Sequence, residues 1–141
     1  MYDHIGLRTK RFKALDAFYN KLLPTLGIER LAKYPDASGY GSGKQAAFWI
    51  GASKKAPSSV HIAFSAGTRA AVDKFHRKAR KLGAKDNGAP GLRPDYGPHY
   101  YAAFVIDPDN DCDLWTVGAK LQCGVAPLRQ RGKTLPPNEP L

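Results

Sequence analysis

The chain has 141 residues, a length that fits one ordinary domain or two very small ones. Its 22 Lys and Arg outnumber 12 Asp and Glu for a formal charge of +10, and apolar residues make up 43% of it; a packed core is therefore supported and a wholly disordered polymer excluded. No apolar run reaches the roughly 18 to 20 residues of a spanning helix, and a strand-like segment beginning at Tyr2 leaves no room for a leader peptide, so the expected location is cytoplasmic.

Asp3, Ile5 and Leu7 alternate with His4, Gly6 and Arg8, the period of a half-buried strand. The period then changes: Phe12, Leu15, Phe18, Tyr19, Leu22, Leu23 and Leu26 recur at steps of three and four, one apolar helical stripe. Pro24 disturbs its last turn and Gly27 suits the position just past its end. Shorter extended segments are expected at 28–34, 39–43 and 46–51, the last carrying Phe48, Trp49 and Ile50. Val60, Ile62 and Phe64 next alternate with His61, Ala63 and Ser65, and Thr68 is placed to cap a helix bearing Val72, Phe75, Ala79 and Leu82, closed by Gly83. Residues 84–98, rich in Gly, Pro and Asn, read as a long loop with room for one short strand. Tyr100–Ile106 and Asp113–Val117 read as strands joined by a turn at Asp107-Pro108-Asp109-Asn110. The tail, 119–141, has four prolines and no periodicity and is expected to be irregular. Cys112 and Cys123 sit in no Cys-x-x-Cys pair and are read as free thiols.

The chain also repeats itself. His4-Ile5-Gly6-Leu7 returns as His61-Ile62-Ala63-Phe64 and Ala14-Leu15-Asp16-x-Phe18 as Ala71-Val72-Asp73-x-Phe75, both at an offset of 57, and Leu26-Gly27 returns as Leu82-Gly83. One domain over 1–118 made of two units, 1–58 and 59–118, is expected, with 119–141 as an addition. A helix followed by several strands, twice over, favours an α+β fold over alternating parallel units. Ala46-Ala47-Phe48 also resembles Ala102-Ala103-Phe104, but that match carries little weight because the two strands need not be equivalent.

If the apolar set of each first strand faces its own helix, His4 and His61 face the other side of the sheet. A tandem repeat relates them by an approximate two-fold axis, so two imidazoles can converge on one concave surface and offer themselves to a divalent metal. The alternative, a polar residue on a wet sheet face, stays open for each. His76 and His99 have no repeat partner and read as structural or exposed. Lys74, Arg77, Lys78 and Lys81 share one helical face, as nucleic-acid binding would allow; without an accompanying aromatic pattern a solvated face is the better reading, and nucleic acid is not the expected partner. The positive charge favours anionic small ligands.

The repeated unit, the paired histidines and the stretch DNGAPGLRPDYGPHYYAAFVIDPDN together resemble the vicinal oxygen chelate superfamily, which groups glyoxalase I, extradiol dioxygenases and bleomycin resistance proteins. The likeness covers about residues 1 to 118, and the long stretch points to a glyoxalase-like subgroup. It implies two tandem βαβββ modules forming a curled, cup-like mixed sheet with helices on the outside, a ligand site in the cup, commonly a homodimer, and often a metal held by first and last strands of the modules. In glyoxalase and dioxygenase relatives that metal chelates vicinal substrate oxygens and stabilises an enediolate or catecholate.

Carried over by residue, the resemblance puts His4 and His61 at first-strand ligand positions. The glutamate that subgroup members place in the last strand falls on Leu114, and the only glutamates are Glu29 and Glu139, elsewhere in the chain. Asp113 would replace it if a one-residue bulge shifted the register. Trp49, Tyr100 or Tyr101, Arg93 and Asn87 are expected to line the cup, Arg93 meeting a carboxylate or phosphate. Two functions follow: a metal-dependent lyase, isomerase or dioxygenase with the ion on His4, His61 and Asp113, or a metal-free protein that binds or sequesters a small anionic organic molecule.

Overall fold

The computed structural model describes residues 2–55 and 60–109, and the backbone of 112–118. The tail at 119–141 and Cys123 lie outside the described residues. Strand β1 (Ile5–Thr9) leads into helix α1 (Phe12–Leu22), followed by β2 (Glu29–Lys33), β3 (Ala37–Gly41) and β4 (Phe48–Ala52). The order then recurs as β5 (Val60–Ala66), α2 (Arg69–Lys81), β6 (Lys85–Leu92), β7 (Tyr101–Ile106) and β8 (Cys112–Gly118). This is the α+β, twice-βαβββ arrangement expected from the sequence. Each half builds its own four-stranded sheet with the same strand order, β1-β4-β3-β2 and β5-β8-β7-β6. First and last strands of each half pair in parallel. Even the register recurs, since Gly6 pairs with Trp49 and its repeat mate Ala63 pairs with Trp115. The look-alike triplets at 46 and 102 are not equivalent, since the first leads into β4 and the second lies within β7.

Two differences from the expected elements have physical causes. The helical stripe running to Leu26 breaks at Leu22, and Leu23–Leu26 is a 3₁₀ turn, because Pro24 has no N–H to continue the α pattern. Gly27, at φ 71°, takes the left-handed turn that closes it. The stretch expected to be a loop instead contains the eight-residue β6. Pro90 is tolerated there because β6 is the edge of its sheet, and the ladder to β7 slips register between Asp86 and Gly88 and again before Gly91. Thr68 caps α2 as its position predicts, its hydroxyl accepting the Ala71 N–H at 3.1 Å.

The two halves share one core. Leu15, Phe18, Tyr19 and Leu22 of α1 are buried with Phe75 and Ala79 of α2 against Leu7, Ile50, Ile62 and Val105 of the sheets. Each such aliphatic or Phe side chain, fully buried, contributes about 1.5–3 kcal/mol. Phe48 meets Phe64 edge to face across the halves, with centroids 5.4 Å apart. Polar groups complete the junction. The Tyr19 hydroxyl donates to the fully buried Asp107 at 3.1 Å. Thr9 donates its hydroxyl to Asp109, whose carboxylate also lies 3.1 Å from the Arg11 guanidinium. Asp107 accepts the Asp109 N–H at 3.1 Å, the short-range bond that tightens an Asp-Pro-Asp turn.

Repeat-equivalent aspartates do the same work in both halves. Asp16 of α1 accepts the Tyr40 hydroxyl of β3, and Asp73 of α2 accepts the Tyr101 hydroxyl of β7 at 2.7 Å. Arg30 adds an ion pair to Asp16 at 3.0 Å. Burial first, and then the Asp16 carboxylate, hold the Tyr40 phenol well above its ordinary range.

The Asp109 carboxylate is nearly buried while Arg11 is largely exposed. Asp109→Ala is therefore expected to lower unfolding free energy by about 2 kcal/mol, and Arg11→Ala by less than about 1 kcal/mol, both by urea denaturation. The reverse order would show that the turn does not hold the halves together.

Candidate functional site

The shared core dictates what faces outward. In β1, Leu7 and Thr9 are buried while Gly6 and Arg8 are not; in β5, Ile62, Phe64 and Ala66 are buried while Ala63 and Ser65 are exposed. On the first sheet this outward face lines a cavity of about 770 Å³, within the usual size range for small-molecule sites. Gly6 and Arg8 of β1, Trp49 and Gly51 of β4, Ala37 of β3 and Ala32 of β2 form much of it. Lys44, Gln45 and Ala46 from the β3–β4 connection, with Leu31 and Tyr34, complete the rim.

Small residues make the hollow. A Cβ on Gly39 would lie 2.9 Å from both the Trp49 ring and the Ala46 Cβ, so glycine is what lets the indole lie down across β3. Trp49 donates its Nε1–H to the Ala46 carbonyl at 3.1 Å, and the Tyr34 ring is stacked with it at 6.3 Å and 22°. The Arg8 side chain crosses Gly51, where an added Cβ would meet the guanidinium at 3.4 Å. Among the described residues neither Arg8 nor Lys44 forms an ion pair. The one carboxylate of the lining among the described residues, Asp3, is engaged by His4 Nδ1 at 2.8 Å and by Gln45 Nε2 at 3.1 Å. The His4 hydrogen bond is the main cause holding Asp3 below the usual carboxylate range.

Register explains why the second half presents a different surface. Phe104 pairs with Trp115 as Gly39 pairs with Trp49, so a phenyl ring stands where the first half has a hydrogen atom. That ring lies against Gly88, and the Arg93 guanidinium covers it at 5.1 Å.

The residues expected at the site are thus dispersed. The cavity lining includes His4 and Trp49; among the described residues it takes nothing from the second half. His4 precedes β1, largely exposed, rather than lying within it. His61 is half-buried on β5. Tyr101 turns toward α2, bonded to Asp73 and beneath Arg69 at 5.2 Å. Tyr100 packs beside Tyr96 at 5.5 Å, its phenol pushed up to about 12 by burial and then by Tyr96. Arg93 donates to the Ala89 carbonyl at 2.6 Å, and Asn87 lies at the register slip of β6. Arg8, Lys44 and Tyr34 are the unexpected members. Arg8 was within reach of the same parity that singles out His4; Lys44 and Tyr34, in connections between strands, carry no periodic signal.

For a metal, the donor set is the test. Among the described residues no group of three or more His, Cys, Asp or Glu side chains comes together. His4 is engaged by Asp3 at the rim, β4 carries no side-chain oxygen or nitrogen ligand other than the Trp49 indole, which ligates no metal, and Leu114 pairs with Ile62. The described residues therefore do not fit a multidentate metal centre. The ladder from Val60–Cys112 to Ala66–Gly118 runs without a slip and sets Asp113 beside His61 in register; the Asp113 side chain lies outside the described residues.

No protein-family model matches the chain, and neither does any curated protein. Solved structures do. A glyoxalase/bleomycin resistance protein from Albidiferax ferrireducens T118 superposes with a TM-score of 0.72 at 22% identity, covering 85% of this chain and 99% of that one. A glyoxalase/bleomycin resistance protein/dioxygenase family enzyme from Burkholderia phytofirmans PsJN gives 0.64 at 20% identity, covering 82% and 95%. The fosfomycin resistance protein FosX from Listeria monocytogenes gives 0.64 at 17% identity, covering 86% and 94%. The chain has the fold of the glyoxalase and bleomycin resistance proteins, as the resemblance in its sequence implied.

If Gly39 is what lets the indole lie across β3, Gly39→Ala in a Trp115→Phe background should shift the Trp49 emission and cost about 1–3 kcal/mol of stability. An unchanged spectrum would show that the ring does not depend on that glycine.

Proposed function

We propose, from the fold and from the lining of the first-half cavity, that this protein binds a small organic anion with a flat apolar body. Arg8 and Lys44 hold the charge, and Trp49 with Tyr34 holds the body. The observation that carries the reading is one lining on which, among the described residues, two unpaired cations stand beside a stacked aromatic pair and the one carboxylate is already engaged. A charge-assisted hydrogen bond to a carboxylate or phosphate contributes about 1.5–3 kcal/mol, and aromatic stacking adds about 0.5–1.5 kcal/mol. The overall charge of +10 works in the same direction and against cationic ligands. On this reading the protein sequesters or delivers its ligand. A homodimer in the cytoplasm, expected from the sequence, belongs to the same proposal, with nucleic acid and membrane playing no part.

Phenyl phosphate and benzoate are suitable probes. Saturable quenching of Trp49 fluorescence is expected, with affinity falling about tenfold in Arg8→Ala and again in Arg8→Ala/Lys44→Ala. No saturable quenching by either probe, or quenching indifferent to both substitutions, would overturn the reading.

A metal-dependent lyase, isomerase or dioxygenase using His4, His61 and Asp113 is the second reading, and one observation favours it: the unbroken ladder that sets Asp113 beside His61. Metal analysis of protein purified without chelator separates the two. Sequestration predicts no stoichiometric ion, whereas one ion per chain that disappears in the His4→Ala/His61→Ala variant would establish the second reading instead.

A further inference from the structure

A second concavity, of about 480 Å³, lies on the other side of the first half, between α1 and β2. Phe12, Ala17 and Pro35 give it an apolar lining, and Ala17 leaves room on the helix between the longer side chains of Lys13 and Lys21. Those three residues stand four apart on one helical stripe, so about 12 Å of helix axis separates the two lysines. Lys33 on β2 supplies a third ammonium from the opposite wall. Among the described residues the single carboxylate here, Asp16, is buried and held by Arg30 at 3.0 Å and by the Tyr40 hydroxyl. Among the described residues Lys13, Lys21 and Lys33 form no ion pair. Three cations therefore line a partly apolar hollow in which, among the described residues, the one anion is already neutralised, whereas an ordinary solvated basic face has no hollow.

We propose that this groove is a separate site for a small phosphorylated molecule with a flat apolar body. Its phosphates lie between Lys13, Lys21 and Lys33, and its body lies against Phe12, Pro35 and Tyr34. Tyr34 lines both this groove and the cavity that carries Trp49, so an occupant of the groove touches the shared wall. Lysine suits the role as a mobile point charge that meets phosphate oxygens without a fixed geometry.

ADP is the probe, titrated calorimetrically into the full chain at low and at moderate salt. A saturable site that survives Arg8→Ala is expected, weakening as salt rises. Lys13→Ala/Lys33→Ala should weaken it at least about tenfold, while Lys74→Ala/Lys78→Ala, which removes the same charge from α2, and Arg8→Ala should each leave it within about twofold. No saturable binding overturns the proposal. An equal loss in the α2 variant would reduce it to bulk charge, and an equal loss in Arg8→Ala would place ADP in the first cavity; either result overturns it too. Failure of the aromatic anions to bind beside Trp49 would leave these outcomes untouched, so the two sites stand or fall separately.

Discussion

Everything on the outward faces of this protein is decided by one inward constraint, the single core that both halves must share. Phe48 and Phe64 touch across the halves, and the helices cover Leu7 on one side and Ile62 on the other. Because strand side chains alternate, committing Leu7 and Thr9 to that core commits Gly6 and Arg8 to the open face. A register slip of one residue would bury the Arg8 guanidinium and expose Leu7, at a cost no surface contact could offset. The polar clamp of Tyr19, Thr9 and Arg11 on Asp107 and Asp109 ties the same β1–α1 corner to the β7–β8 turn. The position of the cavity wall is thus set from behind, by packing, before any ligand is considered.

Seen in these terms, much of the architecture was legible in the residues. The offset of 57 reflects a real duplication because it holds for strand, helix and, through Gly6–Trp49 and Ala63–Trp115, for pairing register as well. Thr68, Pro24 and Gly27 announced their helix boundaries through local chemistry that tertiary contacts do not override. Strand β6 was hidden for the opposite reason. Its Gly, Pro and Asn are the residues of loops, and only its place at a sheet edge, a non-local fact, lets them belong to a strand.

The site was less legible than the fold. His4 lies along the open face although it precedes β1; the parity of the strand itself brings Arg8 there, which attracts notice only once Gly51 is seen to make room for it. Arg93 looked like the natural anchor for an anion because it sits in a polar stretch; its guanidinium lies over Phe104 and donates to the Ala89 carbonyl, away from the lining of the first-half cavity. Tyr101 resembled a cup residue and proves to be a helix fastener, the counterpart of Tyr40 on the repeat-equivalent aspartate. Which tyrosine meets a helix depends on strand register, and one sequence read alone does not contain it.

Gly39 and Phe104 occupy matching places in the two sheets. Where the first sheet has a hydrogen and lets an indole lie down, the second has a phenyl ring set against Gly88. Two copies of one backbone plan therefore carry outer surfaces of different shape, and a molecule shaped to the first need not fit the second.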